Sequence, residues 1–456
     1  MGTLSQVAKD TGGRLYGKDQ NYLAVSTDTR TINPGDLFLA LSGEKYDANN
    51  FISDALDRGA VGAIVQKKLP IAISQVQVSD SRKALHKLAQ VWRKHFSIPL
   101  IGITGSNGKT TIKELSAAIL RVSINKGRVL ATIDNQNNEI GLPLTILNLC
   151  RDHQAAVIEM GASQIGDIKI LAGIALPNIA VISNAARAHL LGFGGIDEVA
   201  ATKGEILDSI GHEDTAILNQ DDPFFSKWFE RAGPAKVITF GANADADFYP
   251  RKIRNIEIDG HIGFEFELVT PLGSEFIELP LAGKHNVSNA IAASAAAVAA
   301  GANLAAIRSG LLSSRNIQGR LRAIPLKDNT VIYDDSYNAN PDSVSAAISF
   351  LASLQGEAIL VLGDMGELGS NAEKLHFDIG RFARKSGIKR LLCIGQLSQS
   401  IARGFGESAQ WFLSLDELYA AVSIELSSGC NILIKASRFM GLDELVNRIK
   451  LEAGKE

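Results

Sequence analysis

The sequence predicts an α/β protein built from three domains, and three observations carry this prediction. The chain has 456 residues, enough for three domains of ~150 residues each. Its composition, 46% hydrophobic and 21% charged, is that of ordinary globular proteins. Short apolar runs alternate with helix-like segments, as in parallel α/β sheets. We predict a small N-terminal α/β domain over 1–82, a central domain with a mostly parallel sheet over 83–312, and a C-terminal Rossmann-like domain over 313–456.

The net charge and the cysteine content indicate which partners and which cellular compartment to expect. The net charge of −3 provides no basic field for nucleic acid or an anionic membrane, so neither is expected as a partner. The cysteines, Cys150, Cys393 and Cys430, are far apart and form no CxxC pair, which fits a reducing cytoplasm. Residues 1–20 contain no apolar core for a signal peptide. The alanine-rich run from Asn289 is interrupted by polar residues, so we expect a close-packed helix and no membrane span.

The first block shows short strand-like runs separated by turns. These runs are LFLAL at Leu37 and VGAIV at Val61, and an Asn-Pro-Gly-Asp turn begins at Asn33. A helical pattern, SRKALHKLAQVWRKHF, begins at Ser81 and leads into the second block.

The second block opens with strand, glycine-rich turn and helix. The apolar run IPLIGITG starts at Ile98, and the helix-like TTIKELSAAIL follows from Thr110. Further strand-like runs, AAVIEMG and IAVISNA, are separated by helical stretches, which indicates a parallel sheet. Between about 237 and 280 the pattern changes to alternation typical of antiparallel strands, and the alanine-rich helix follows.

The third block repeats the α/β alternation. It begins near Ser313 and contains the apolar runs TVIYDDS, AILVLGDMG, RLLCIGQ and NILIKAS, each ending in polar or glycine residues. Helical stretches between these runs predict a second sheet of Rossmann-like layout.

The strongest motif is Gly-Ser-Asn-Gly-Lys-Thr-Thr over 105–111, where a predicted strand ends and a helix begins. Backbone N–H groups of such a turn can bind phosphates, the lysine can reach the outer phosphates, and the first threonine can ligate Mg²⁺. Ile103 stands where the generic spacing has glycine, and a glycine turn that only caps the helix is the alternative. The predicted nucleotide-binding residues here are Gly105, Ser106, Asn107, Gly108, Lys109, Thr110 and Thr111.

Two residues that follow neighbouring strands are candidate metal ligands. Glu159 ends AAVIEMG, and its carboxylate could hold Mg²⁺, which prefers oxygen ligands. His189 follows IAVIS in what we expect to be the same sheet. A solvated strand-end glutamate and a structural histidine are the alternatives.

Other candidates are weaker on pattern alone. Lys203 lies in a helical pattern, where the default is a solvated surface lysine. Asn286 and Asn289 are three apart at a helix start and hence on one face, where they could pair with a purine edge or cap the helix. Arg320 could stabilise a transferring phosphoryl group or be a surface arginine. The polar loop over 334–341 follows a strand, where α/β proteins bind ligands, although an ordinary turn remains open.

Together these pieces resemble the Mur ligase family of ATP-dependent amide-bond-forming enzymes, over essentially the whole chain. The short loop from Thr104 matches the family's own form of the P-loop. Four further stretches resemble members that use D-alanyl-D-alanine: STDTRTINPGDLFLALSGEKYDANNF, NNEIGLPLT, YDDSYNANPDS and VLGDMGELG. The Asp-Asn-Pro-Arg motif of the related ligase that adds the third peptide residue is missing from the sequence.

The resemblance implies roles for particular residues. The first domain would bind the UDP-linked substrate, the central domain would be the ATPase, and the cofactors would be ATP and Mg²⁺. Lys203 resembles a lysine that is carbamylated in several members and would then hold a second Mg²⁺; carbamylation is left open. The implied catalytic group is Lys109, His189, Lys203 and Arg320. The implied metal ligands are Thr110, Glu159, His189 and carbamylated Lys203, and the implied nucleotide contacts beyond the P-loop are Asn286, Asn289, Arg320 and Asp335. The implied substrate contacts are Ser26, Thr27, Arg30, Asn137, Asn138, Tyr337, Asn338 and Asn340.

The sequence departs from the family pattern near His189. The preceding stretch usually contains Gly and Pro, and a glutamate usually stands at Leu191, whereas here the stretch reads Ala-Ala-Arg-Ala-His-Leu-Leu. A histidine is also usual where this chain has Asn49 or Asn50.

The activity implied by the resemblance is ligation of D-alanyl-D-alanine to UDP-N-acetylmuramoyl-tripeptide through an acyl phosphate, by a monomer in the cytoplasm, during peptidoglycan synthesis. Two alternatives stay open. Another family member could add a different amino acid or extend a folate glutamate tail, although the folate enzyme lacks such a first domain. A P-loop NTPase could instead use hydrolysis for conformational signalling.

Overall fold

The computed structural model describes residues 1–43, 47–124, 128–258, 261–314, 318–326, 329–426 and 429–452. It confirms the predicted α/β class, with a small N-terminal sheet, a parallel central sheet and a C-terminal sheet of Rossmann-like layout. Short 3₁₀ helices occur at Ala48–Phe51, Glu205–Ser209, Gly369–Asn371 and Arg438–Met440.

The first domain contains a five-stranded sheet in the order β2-β7-β6-β5-β4, in which β2 is antiparallel and the remaining strands are parallel. Strands β1 and β3 form a separate antiparallel pair. The predicted runs LFLAL and VGAIV are confirmed as the buried strands β5 and β6. The elements are β1 (Gly2–Thr3), α1 (Leu4–Thr11), β2 (Arg14–Tyr16), β3 (Asn21–Tyr22), β4 (Val25–Ser26), β5 (Leu37–Leu39), α2 (Ile52–Asp57), β6 (Gly62–Val65), β7 (Ser74–Gln77) and α3 (Ser81–Arg93).

The central domain is arranged around a six-stranded, fully parallel sheet in the order β13-β12-β11-β8-β10-β9. A second, antiparallel sheet has the order β14-β15-β16. The strands of the central domain are β8 (Leu100–Thr104), β9 (Arg128–Ala131), β10 (His153–Glu159), β11 (Ile179–Ile182), β12 (Thr215–Asn219), β13 (Lys236–Phe240), β14 (Tyr249–Ile258), β15 (His261–Thr270) and β16 (Gly273–Leu279). Its helices are α4 (Lys109–Ser123), α5 (Gly141–Leu147), α6 (Asp167–Ala175), α7 (Leu190–Phe193), α8 (Ile196–Gly204), α9 (Phe225–Arg231), α10 (His285–Ala299) and α11 (Leu304–Ser313).

Two details of the central domain concern the start of its antiparallel sheet and the predicted boundary with the first domain. The antiparallel patch begins at Tyr249 and not near 237, because Lys236–Phe240 pairs in parallel with β12. Helix α3 begins at Ser81, where the Asp80 side chain accepts hydrogen bonds from two backbone N–H groups of the first turn. Since α3 packs against α5 and α6, the predicted limit at 82 falls inside a helix that contacts the central domain.

The C-terminal domain has a six-stranded sheet in the order β17-β18-β22-β19-β20-β21, antiparallel only between β17 and β18. Its elements are β17 (Arg322–Pro325), β18 (Val331–Asp334), α12 (Pro341–Ala352), β19 (Ala358–Gly363), α13 (Ala372–Lys385), β20 (Arg390–Ile394), α14 (Ser398–Phe405), β21 (Ala409–Phe412), α15 (Leu415–Glu425), β22 (Asn431–Lys435) and α16 (Asp443–Glu452).

The alternation of apolar side chains along the strands fills both faces of the central sheet. Ile101, Val157 and Val181 belong to the core shared with α4 and α10. Ala156 and Ile182 belong to the core shared with α3 and α6. A sheet covered on both faces leaves its strand ends as the place where side chains can meet a ligand. Over the described ranges, no helix has the length and apolarity needed to cross a bilayer.

Candidate active site

The candidate site lies at the carboxyl ends of the central strands. Strand β8 lies between β10 and β11: the chain passes from β8 to β9 and β10 on one side and then crosses β8 to β11 on the other, which opens a crevice at these strand ends. A cavity of about 480 Å³ occupies this crevice and is closed on the far side by loops of the C-terminal domain. It brings together these predicted residues: Ser106, Asn107, Gly108, Lys109, Thr110, Asn137, Asn138, Glu159, His189, Arg320, Tyr337, Asn338 and Asn340.

The glycine-rich loop has a conformation that its glycines make possible. Gly105 and Gly108 have φ of 140° and 83°, a region that other residues rarely adopt. A Cβ on Gly105 would collide with Ser183 Oγ, and one on Gly108 would collide with Asn289 Oδ1. Ile103 is buried within β8, so the loop is shorter than the generic P-loop and begins one residue after the strand.

The segment after β11 fixes the loop from the other side, through residues that the sequence analysis did not select. Ser183 Oγ donates to the Asn107 carbonyl at 2.6 Å. The Asn184 side-chain oxygen accepts from Asn107 N–H at 3.0 Å, and its carbonyl accepts from Ser106 N–H at 2.9 Å. The available signal was their position at the end of the apolar run IAVIS, beside the P-loop strand.

Lys109 lies folded over its own loop. Its Nζ donates to the carbonyls of Gly105 at 2.7 Å and Ser106 at 3.1 Å. Burial lowers the pKa of Lys109, the neighbouring Glu159 opposes that shift, and Arg320 adds to it. A triphosphate in the cavity would place negative charge beside this partly buried ammonium.

Glu159 offers a metal-binding oxygen. Its carboxylate is 2% exposed, and Oε1 accepts from Asn137 Nδ2 at 2.8 Å. Its Oε2 is buried with no hydrogen-bond partner among the described residues. Because an unpartnered buried carboxylate oxygen is costly, this position fits a divalent cation.

The donor set is mixed. No group of three or more His, Cys, Asp or Glu side chains capable of holding a metal occurs in the described part of the chain. The cavity instead offers the Glu159 carboxylate, the Thr110 hydroxyl and His189. Such a sparse set suits Mg²⁺, which keeps several waters and shares substrate phosphates.

His189 is held by the C-terminal domain. Its Nδ1 contacts a carboxylate oxygen of Glu367, which the sequence analysis did not select. Burial lowers the pKa of His189, Glu367 opposes the shift, and Lys109 and Lys203 add to it. The neutral imidazole is the form that ligates metals.

Lys203 is not the surface lysine that its helical pattern favoured. Only 2% of the residue is exposed, and Nζ lies 5.3 Å from the centre of the Phe193 ring. Its pKa is lowered to about 7, chiefly by burial and also by the charge of Lys109, while Asp167 and Glu205 act in the opposite direction. Pattern failed here because α8 is covered by its neighbours on the face that carries Lys203.

Asn286 and Asn289 share one face of α10, as predicted, and lie behind the P-loop. Asn286 Nδ2 donates to the Ala282 carbonyl at 2.7 Å, and Asn289 Nδ2 donates to Asn286 Oδ1 at 2.9 Å. The helix is capped at Lys284 without a side-chain bond, so the capping alternative is wrong. Both amides are buried, and neither lines the cavity.

The C-terminal side presents Arg320 over an aromatic ring. Its guanidinium carbon lies 4.2 Å from the centre of the Tyr337 ring, and Nη2 donates to the Thr110 hydroxyl at 3.3 Å. Its Nε is buried with no hydrogen-bond partner among the described residues, as expected of a group that awaits an anion. Arg320, Thr110 and Tyr337 also line an adjoining cavity of about 810 Å³.

Asp335 lies behind the C-terminal side of the cavity and does not line the cavity. Its carboxylate pairs with Lys435 Nζ at 2.7 Å, and the same Nζ donates to the Asn338 carbonyl at 2.9 Å. Burial lowers the pKa of Lys435, and Asp335 opposes that shift. The pair therefore fixes the loop that carries Asn338.

The predicted substrate residues divide between two places. Asn137 and Asn138 line the cavity. Ser26, Thr27 and Arg30 lie in the first domain, outside the cavity. Arg30 there pairs with Asp28 at 2.7 Å on an exposed surface.

A glycine-rich loop of P-loop form at the switch point of a parallel sheet, covered by a second α/β domain, is the arrangement of the P-loop class of enzymes. Two family descriptions match the same two regions: "Mur ligase middle domain" over 103–297 and "Mur ligase, glutamate ligase domain" over 319–438. The chain belongs to the Mur ligase family.

Full-length relatives support this assignment. The UDP-N-acetylmuramoyl-tripeptide–D-alanyl-D-alanine ligase of Escherichia coli (strain K12) is 40% identical over 453 residues, 98% of each chain. A crystal structure of MurF from Acinetobacter baumannii is 33% identical, covers 98% of each chain and superposes with a TM-score of 0.91. The MurF ligase of Thermotoga maritima in complex with ADP is 26% identical, covers 94% of this chain and 98% of its own, and has a TM-score of 0.83.

Proposed function

We propose that this protein ligates D-alanyl-D-alanine to UDP-N-acetylmuramoyl-tripeptide at the expense of ATP, giving the UDP-muramoyl-pentapeptide of peptidoglycan synthesis. It is an ATP-dependent amide-bond-forming ligase. The observation that carries the proposal is the cavity between the P-loop and the C-terminal domain. Similarity over 98% of the chain to the UDP-N-acetylmuramoyl-tripeptide–D-alanyl-D-alanine ligase of Escherichia coli supports these substrates.

The proposed reaction has two steps. The terminal carboxylate of the tripeptide attacks the γ-phosphorus of ATP, so that an acyl phosphate forms and ADP leaves. The amine of D-alanyl-D-alanine then attacks the acyl carbon, and after loss of a proton from nitrogen the tetrahedral intermediate expels inorganic phosphate. Lys109 and Arg320 neutralise the phosphoryl oxygens from opposite domains, and the P-loop amides hold the nucleotide in line.

Mg²⁺ fits the site because Glu159 keeps an unpartnered oxygen there. Thr110, Glu159 and His189 would hold it. When bound, it would neutralise phosphate charge and orient the nucleotide.

Closure of the C-terminal domain would exclude water from the site. Arg320, Asn338 and Asn340 enter the cavity from that domain. Because an acyl phosphate hydrolyses readily in water, a site enclosed on both sides protects it until the amine arrives.

We propose that Lys203, if carbamylated by CO₂, would hold a second Mg²⁺. Carbamylation would convert its buried amine into an anion able to ligate the metal. The adenosine contacts predicted for Asn286, Asn289 and Asp335 stay predictions, because the two asparagines lie behind the P-loop, Asp335 lies behind the C-terminal side, and none of the three lines the cavity.

The first domain, proposed over 1–82, would bind the uridine nucleotide through Ser26, Thr27 and Arg30. Asn137, Asn138 and Tyr337 would contact the peptide. The remaining proposed domains are 83–312 and 313–456. We propose a cytoplasmic monomer.

The test is phosphate release from Mg-ATP with UDP-N-acetylmuramoyl-tripeptide, with and without D-alanyl-D-alanine, and mass spectrometry of the product. Release that requires both substrates, together with the pentapeptide product, is expected. Release that requires a different amino acid would indicate another ligase of the family. Release with no acceptor at all would indicate an NTPase and overturn the proposal.

A further inference from the structure

The loop after β11 meets the C-terminal domain through an ion pair that no step of the proposed reaction uses. Arg187 Nη2 lies 2.6 Å from Asp342 Oδ1, and its Nε lies 3.2 Å from the same oxygen. The backbone N–H of Arg187 donates to Asp342 Oδ2 at 2.8 Å. Three donors of one residue therefore converge on one carboxylate across the boundary between two domains.

The helix that carries Asp342 also reaches the P-loop. Asn340 is the N-cap of α12, and its Nδ2 donates to Asn107 Oδ1 at 2.8 Å. Asp342 lies in the first turn of the same helix. The start of α12 is thus attached both to the P-loop and to the loop that follows β11.

The loop that carries Arg187 is in turn bound to the P-loop and to a second C-terminal element. The N–H of Ala186 donates to Ser106 Oγ at 2.9 Å. Further along, Leu191 N–H donates to the Glu367 carbonyl at 3.0 Å. Between them, His189 has φ of 54°, which residues other than glycine seldom adopt and which surrounding contacts must hold.

We propose that Arg187 and Asp342 are positioning residues that hold the C-terminal domain closed over the P-loop, so that Arg320 and Asn340 reach the nucleotide. Neither residue lines the cavity. The proposal rests on the proposed ATP-dependent ligase only for its activity readout, because closure itself needs only a nucleotide.

The exposure of the pair indicates an effect on closure and not on folding. The side chains are 49% and 35% exposed, so solvent screens their attraction and little of the folding stability depends on it. An interdomain surface has fewer contacts than a domain core, and one pair joined through three donor groups can decide the balance between open and closed forms.

The chain offers a matched control. Asp197 also lies in the first turn of a helix, and it pairs with Lys227 at 2.8 Å, but both residues belong to the central domain. Asp342→Asn and Asp197→Asn therefore make the same chemical change, and only the first lies between domains.

The experiment combines small-angle X-ray scattering and kinetics on the full chain. Scattering is measured with Mg²⁺ and a non-hydrolysable ATP analogue. We expect wild type and Asp197→Asn to reach the same compact radius of gyration, and Asp342→Asn to remain larger on average. We expect kcat of Asp342→Asn to fall about fivefold, with melting temperatures of the two variants alike.

Charge reversal tests the direct pairing. Arg187→Asp combined with Asp342→Arg should recover part of the closure that each single reversal loses. The proposal is overturned if Asp342→Asn closes and turns over like Asp197→Asn, or if it melts earlier but closes normally. Absence of pentapeptide product from wild type would count against the ligase function alone, since the scattering result does not depend on it.

Discussion

The two sides of the active-site cavity are built differently. On the central side, Glu159 is bonded to Asn137, and the P-loop is bonded to Ser183 and Asn184 of the same domain; Glu159 is 2% exposed. On the C-terminal side, contacts such as Arg187 to Asp342 cross between domains and are partly exposed. The central half is therefore organised before the nucleotide arrives, whereas the other half is positioned only when the domains close. Changes to the first half should abolish chemistry, and changes to the second should reduce it.

The largest effect is expected from Lys109→Ala. Loss of the ammonium that neutralises the transferring phosphoryl group should lower ATP turnover by at least ~10³-fold. Circular dichroism and thermal melting should stay close to wild type. Lys227→Ala, a change at an exposed lysine, is the control and should keep full activity. Near-normal ligation by the Lys109 variant would contradict the site assignment.

The next largest effect is expected from Glu159→Gln. The amide keeps the shape of the side chain but removes the charge offered to Mg²⁺, so we expect turnover to fall by about 10²-fold. Binding of Mn²⁺ with ADP, followed by electron paramagnetic resonance, should weaken in parallel. Unchanged Mn²⁺ affinity would remove Glu159 from the metal site.

A smaller effect is expected from Asn137→Ala. Its Nδ2 orients Glu159 through one hydrogen bond, and loss of such an outer-shell partner typically costs 10–100-fold in metal affinity. We expect about a tenfold increase in the Mn²⁺ dissociation constant. If the variant changed only the KM for the tripeptide substrate, Asn137 would be a peptide contact with no part in holding the metal.

The smallest effect is expected on the closing side, from Tyr337→Leu. The ring under Arg320 contributes about 0.5–2 kcal/mol through its cation–π contact, so a severalfold loss of kcat is expected. Tyr337→Phe keeps the ring and should retain most activity. Equal losses in the two variants would assign the role to the hydroxyl and weaken the comparison between the two halves.

The sequence predicted the elements that local pattern controls. The strand, glycine turn and helix around Lys109, the strand ending at Glu159 and the shared face of Asn286 and Asn289 all follow from spacing and periodicity. The antiparallel region was found but placed too early, because Lys236–Phe240 is a short apolar strand whose partner cannot be read locally.

The contacts that complete the site could not be predicted in this way. Arg187 and Asp342 are 155 positions apart, and Glu159 and Asn137 are 22 apart. Their pairing depends on how sheets and domains pack, which no local pattern encodes. The burial of Lys203 has the same origin, since its helix pattern alone resembles a solvated surface.

The most direct test of the account follows the oxygen of the tripeptide carboxylate. The substrate is labelled with the heavy isotope of oxygen at both carboxylate positions, and the released phosphate is analysed by mass spectrometry after ligation. The account predicts one labelled oxygen in each phosphate, because the carboxylate attacks the γ-phosphorus and its oxygen stays with phosphorus when the amine displaces it. Phosphate that carries no labelled oxygen, because its fourth oxygen came from water, would contradict the acyl phosphate and with it the proposed reaction.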